Sequence, residues 1–133
     1  MNRIKVKKIT PVLLAEQVEP CVTFWERLGF EKTVEVPDGN SLAFVSLGRD
    51  NIEVMYQTYA SVEKDPDALK SFAKGPTFLY VEVENLDDTI AALKDAEVVM
   101  PVRTAFYGAK EIGVKDPGGH IVTFAQFAAA AQT

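Results

Sequence analysis

This 133-residue chain has one cysteine, one tryptophan and one histidine. Cys21 alone cannot form an internal disulfide, so the fold must be held by its core, and a reducing, cytoplasmic compartment is the simple expectation. A lone histidine, His120, leaves little imidazole for a metal cluster. No apolar run is long enough for a membrane span, and the N-terminal residues lack the apolar stretch of a signal peptide. Basic residues are outnumbered too: 14 Lys and Arg face 19 Asp and Glu, giving a net charge of −5. That balance disfavours nucleic acid as a partner. The basic start, Arg3, Lys5, Lys7 and Lys8, alternates with Ile4 and Val6 and reads as the wet face of an edge strand.

What is present is ordinary globular material, 47% apolar and 25% charged, enough at this length for a self-supporting core. Residues 9–15 form a short apolar run fit for a buried strand. Pro20 suits the first turn of a helix, Cys21, Phe24, Trp25 and Leu28 make one apolar stripe, and Gly29 ends it. Residues 31–36, 41–47 and 51–57 read as strands separated by turn-rich segments. The order then repeats. Residues 77–84 are strand-like, Asn85 is an N-cap, Leu86, Ile90 and Leu93 give a second helical stripe, and 98–104 form another strand. A hairpin follows, turned at Asp116-Pro117-Gly118-Gly119, where proline presets φ and glycine accepts a positive φ. The chain is thus expected to be one α+β domain of two tandem βαβββ modules. Module one covers about 4–57 and module two about 76–126. A polar linker, 58–75, carries a short helix near Pro66. The modules would form a curved mixed sheet containing a cleft, with helices on its outer face.

Two segments carry a family resemblance. Phe24-Trp25-Glu26-Arg27-Leu28-Gly29-Phe30 is similar to the F-Y-x-x-x-L-G-F helix end of the vicinal oxygen chelate superfamily, shortened by one residue. Tyr107-Gly108 with Val114-Lys115-Asp116-Pro117-Gly118-Gly119-His120 resembles its W/Y-G and V-x-D-P-D-G-N run, with Gly118 in place of Asp. The superfamily includes glyoxalase I, fosfomycin-resistance proteins, extradiol dioxygenases and bleomycin-resistance proteins. Its metal enzymes take one His, Glu or Gln ligand from each of four strands. The resemblance puts Thr10, Glu53, Phe78 and Thr123 at those positions. Only Glu53 suits a hard cation, and one carboxylate rarely makes a dedicated site. No metal or other cofactor is therefore implied, and whether a reaction is catalysed stays open, with the balance against an enzyme.

Strand alternation turns these positions into a wall. Thr10, Val12 and Leu14 would share the cleft with Glu53, Met55, Phe78, Tyr80, Glu82, Thr123 and Ala125. Tyr107 could stand at its mouth. Ile52, Val54, Leu79, Val81, Val122 and Phe124 would pack on the helices, and His120 would lie on the surface of its turn. Glu53 in an apolar cavity would have a raised pKa unless a donor or cation stood beside it; Lys110 and Tyr80 are the candidates. The expectation is a small-molecule binder for an aromatic or cationic ligand, nearest to the bleomycin-resistance proteins. The resemblance also implies a homodimer, with residues 4–6 available to pair across it. The alternatives are a metal-dependent lyase, isomerase or dioxygenase with an atypical site around Glu53, and an interaction domain with no ligand.

Overall fold

The computed structural model describes residue 5 and residues 7–64 and 75–128. The N-terminal residues 4–6 and the helix expected near Pro66 involve positions outside the described set. Each half of the chain builds its own four-stranded mixed sheet. The first contains β1 (Val12–Ala15), β2 (Glu31–Asp38), β3 (Ser41–Arg49) and β4 (Ile52–Thr58), in the order β1-β4-β3-β2. The second contains β5 (Phe78–Glu82), β6 (Glu97–Thr104), β7 (Ala109–Lys115) and β8 (Ile121–Phe127), in the order β5-β8-β7-β6. In both, the first strand pairs parallel with the last, and the other pairs are antiparallel. Parallel neighbours need a crossover, and here it is a helix with two further strands.

Helix α1 (Glu19–Glu26) starts at a proline and buries Cys21, Val22, Phe24 and Trp25. Gly29, at φ +86°, ends it: a Cβ there would lie 2.6 Å from the Arg49 guanidinium, which donates to the Leu28 carbonyl. Helix α3 (Leu86–Ala92) is capped by the Asn85 side chain, which accepts from the Asp88 amide at 2.9 Å. Between the halves, α2 (Tyr59–Glu63) follows β4 directly and is capped by Thr58.

One apolar core serves both halves. It joins Leu13, Val45, Leu47, Val54 and Tyr56 of the first sheet with Ile112, Val114, Val122 and Phe124 of the second, around α1 and α3 residues. Leu79 and Val81 pack against this core, half-buried, as their strand parity requires. Ile52 does not: it is 58% exposed. It opens β4 opposite Arg49, at the turn that joins β3 to β4.

His120 is also not where the sequence suggested. It is 2% exposed and ties three segments together. The Thr77 amide donates to its Nδ1 at 2.8 Å, its Nε2 lies 2.7 Å from the Leu14 carbonyl, and its own amide donates to Asp116 Oδ1 at 2.7 Å. An amide N–H can only donate, so Nδ1 is the acceptor and Nε2 carries the hydrogen toward Leu14. A second chain runs beside it. Trp25 Nε1 donates to the Tyr56 hydroxyl at 2.8 Å, and that hydroxyl donates to Asp116 Oδ2. The Asp116–His120 turn is thus a polar bracket between the modules, and burial makes each of its bonds costly to break.

Candidate functional site

The sheet faces turned away from the core carry the expected wall residues. On the first sheet, Val12 pairs with Met55, and Glu53 lies one alternation further along the same face. Its Oε1 accepts from Lys8 Nζ at 2.6 Å and from Thr10 Oγ1 at 3.5 Å, and its Oε2 from Ser46 Oγ. The carboxylate is therefore not the lone acid in an apolar cavity that the strand pattern suggested. Hydrogen bonds from Lys8 and then Ser46 outweigh partial burial and hold its pKa below the ordinary value. Neither Lys110 nor Tyr80 supplies those donors. Lys8 does so from the segment ahead of β1, across 45 residues of sequence.

On the second sheet, Tyr80 pairs with Thr123, while Phe78 pairs with Ile121. Thr10 and Glu53 meet, but Thr123 stands level with Tyr80 rather than with Phe78. The next pairing along this face places Glu111 opposite both Ala125 and Arg103. Glu111, which sequence reasoning passed over, is the most buried acid here, with its side chain 1% exposed. Its Oε2 accepts the hydroxyls of Tyr80 (2.5 Å) and Tyr107, and its Oε1 accepts Arg103 Nη2 at 3.3 Å and Nε at 3.4 Å. The hydrogen bond from Tyr107, then that from Tyr80, keeps Glu111 ionised to lower pH than a free glutamate. In return, the bond to Glu111 pushes the Tyr80 phenol up, with desolvation adding to it. A signal for Glu111 existed: the turn fixes Lys115 against Ile121, and counting back brings Glu111 opposite Ala125.

The exposed face of this sheet and the turn beside it are rich in open rings. Phe78 is 75% exposed, Tyr80 51% and Tyr107 46%. Phe106 stacks edge-on against Tyr107, whose other neighbour is Phe127 at 6.2 Å. No hydrogen bond or ion pair joins the Glu53 group to the Glu111 group among the described residues. A groove of about 270 Å³ lies elsewhere, between α1 and the segments Asp95–Glu97 and Lys115–Pro117, and shares no lining residue with either face.

The four positions that resemble the superfamily's metal ligands do not make a metal centre here. Phe78 has no ligating atom, Thr123 offers only a neutral hydroxyl, and the charge of Glu53 is already met by Lys8. Among the described residues, no three His, Cys, Asp or Glu side chains gather as ligands. The donor set does not fit that metal.

The model of the Glyoxalase/Bleomycin resistance protein/Dioxygenase superfamily matches residues 8–124. The chain belongs to this superfamily. Solved structures agree on the fold. TioX from Micromonospora sp. ML1 superposes with a TM-score of 0.73 at 20% identity, covering 92% of this chain and 100% of that one. Lactoylglutathione lyase from Agrobacterium tumefaciens gives 0.72 at 14% identity, covering 92% and 94%. The bleomycin resistance determinant encoded on transposon Tn5 gives 0.64 at 17% identity, covering 93% and 100%. No curated protein matches the sequence. Superfamily membership thus accounts for the repeated module and for the hairpin motif, while the neighbours' different activities leave the chemistry to the residues of this chain.

Proposed function

We propose that this superfamily member is a cytoplasmic, non-catalytic binding protein for a planar aromatic small molecule. The observation that carries the reading is the exposed ring set in which Tyr80 and Tyr107 bond an acid whose charge is already paired, Phe106 packs on Tyr107, and Phe78 precedes Tyr80 by two residues on β5. Rings left open to water, two on β5 and two in the β6–β7 turn, offer a stacking surface. Thr10, Val12, Glu53 and Met55 on the first sheet, and Thr123 beside Tyr80, complete the proposed lining. Because Glu53 and Glu111 each hold a cation of the chain itself, an aromatic ligand is favoured over a merely cationic one. The printed name of the Tn5 relative, a bleomycin resistance determinant, is compatible with sequestration rather than turnover. Each face is open on one side, which suits closure by a second copy, and a homodimer is part of the proposal.

Calorimetric titration with a panel of flat aromatic compounds tests it. Saturable binding that is lost in a Phe78→Ala, Tyr107→Ala double variant is expected. Absence of binding to every ring would favour a ligand-free interaction domain. Stoichiometric metal in protein purified without chelator, lost in Glu53→Gln, would favour the metal enzyme instead. Light scattering should give the mass of two chains; a monomer at micromolar concentration would remove the dimer from the proposal.

A further inference from the structure

The phenol hydrogen atoms on the second-sheet face are already committed. An ionised carboxylate only accepts hydrogen bonds, and a phenol has a single hydrogen to give. Since Tyr80 and Tyr107 both donate to Glu111 Oε2, each hydroxyl has only lone pairs left for any further partner. Their rings meanwhile stay about half open. The flanking Phe78 and Phe106 side chains have no polar atom. Two donors do remain nearby. Thr123, paired with Tyr80 in register, is half-buried. The Arg103 side chain is 57% exposed, and its Nε and Nη2 are directed to Glu111 Oε1. On the first sheet the pattern recurs, with Thr10 and Ser46 donating to Glu53.

We infer that Glu111 is a positioning residue that fixes Tyr80 and Tyr107 as a pair of acceptors, so that this face selects planar aromatic ligands bearing N–H or O–H donors on their edge. A ring of the same shape without that donor strands the two oxygens against it, and desolvating an unpaired acceptor is costly. The inference rests on the proposed binding role and adds to it a preference that stacking alone does not produce.

Indole and 1-methylindole are matched probes, both neutral and planar, differing in one N–H. The wild-type protein should bind indole more tightly by about tenfold, the worth of one satisfied hydrogen bond. In the Tyr80→Phe, Tyr107→Phe double variant the rings stay and the acceptors go, so the ratio should fall toward one. In Glu111→Gln the amide Nε2 donates to one phenol and frees that phenol's hydrogen, so the ratio should fall part of the way. Circular dichroism shows whether each variant is folded; because both phenols donate to the buried Glu111, the wild-type ratio, which needs no variant, decides the matter if neither variant folds. Phenolate absorbance supplies an independent readout: Tyr80 should ionise above the ordinary tyrosine range and return toward it in Glu111→Gln. Equal affinities for the two probes in the wild type, or an unchanged ratio in the double variant, would overturn the inference alone. So would equally tight binding of 1-methylquinolinium, a planar cation without a donor. Failure of all three probes to bind would overturn both the binding reading and the inference.

Discussion

The Tyr56 hydroxyl, on the last strand of the first module, donates to the Asp116 carboxylate in the hairpin turn of the second. The same oxygen accepts the Trp25 indole N–H, so one phenol satisfies an acid and a donor drawn from opposite halves of the chain. Burial and the neighbouring Asp116 charge push its ionisation far above the ordinary tyrosine range, so it stays a neutral donor.

Tyr56→Phe keeps the ring and strands both partners. Loss of about 2–4 kcal/mol is expected from leaving a buried carboxylate and a buried N–H short of a bond. Urea unfolding followed by Trp25 fluorescence measures it, and a loss under 0.5 kcal/mol, on the order of an ordinary surface substitution, would contradict the bracket. His120→Ala should cost a similar amount, because it orphans the Thr77 amide and the Leu14 carbonyl together.

Acid should weaken the fold through Glu53 and Glu111. Both have folded pKa values depressed below the usual 4.5. Each therefore contributes stability that is present above that value and lost as pH falls through the lower, folded one. In Glu111→Gln the decline in melting temperature below pH 4.5 should be shallower than in the wild type. An identical decline would show that Glu111 gains nothing from its phenols and Arg103.

Cys21 should be inert while the protein is folded. Burial, with the Asp116 and Glu19 charges adding to it, pushes the thiol up to about 12, so almost no thiolate exists at neutral pH. Labelling by a thiol-specific disulfide reagent at pH 8 should proceed only at the rate of unfolding and become immediate in denaturant. Rapid labelling of the native protein would refute this.

Gly118→Asp would restore the superfamily's usual residue and should nonetheless destabilise. A Cβ at 118 would approach Ala15 Cβ and His120 Cδ2 at 3.2 Å and Cys21 Sγ at 3.4 Å. The added carboxylate would also sit near buried Asp116. Roughly 2 kcal/mol or more of lost stability is expected from crowding and like charge; thermal unfolding at equal stability to the wild type would argue against that contact.

The parts legible in the sequence were those fixed by local spacing. The α1 stripe, the Gly29 stop, the Asn85 cap and the Asp-Pro-Gly-Gly turn each depend on neighbours within a few residues. The parts that were not legible depend on distant partners. His120 looked like a surface turn residue because Leu14 and Thr77 are invisible from position 120. Glu53 was matched to Lys110 or Tyr80 because its actual partner, Lys8, lies ahead of the first strand. Glu111 was the intermediate case: hairpin counting reaches its face, but only the folded chain brings in Tyr80 from another strand.

The parallel pairing of first and last strands has a consequence for assembly. Among the described residues, every strand pair lies within one half of the chain, and each half begins and ends on adjacent strands. Two copies could therefore trade halves without breaking a single strand pair. Among the described residues, they would need to remake the Tyr56–Asp116 and Leu14–His120 bonds, the Arg27–Asp95 ion pair and the apolar contacts around them between chains. A closed monomer and an interlocked pair would thus share every described strand pair and differ in which chain supplies the partners of the Asp116–His120 turn, the Arg27–Asp95 contact and the shared core.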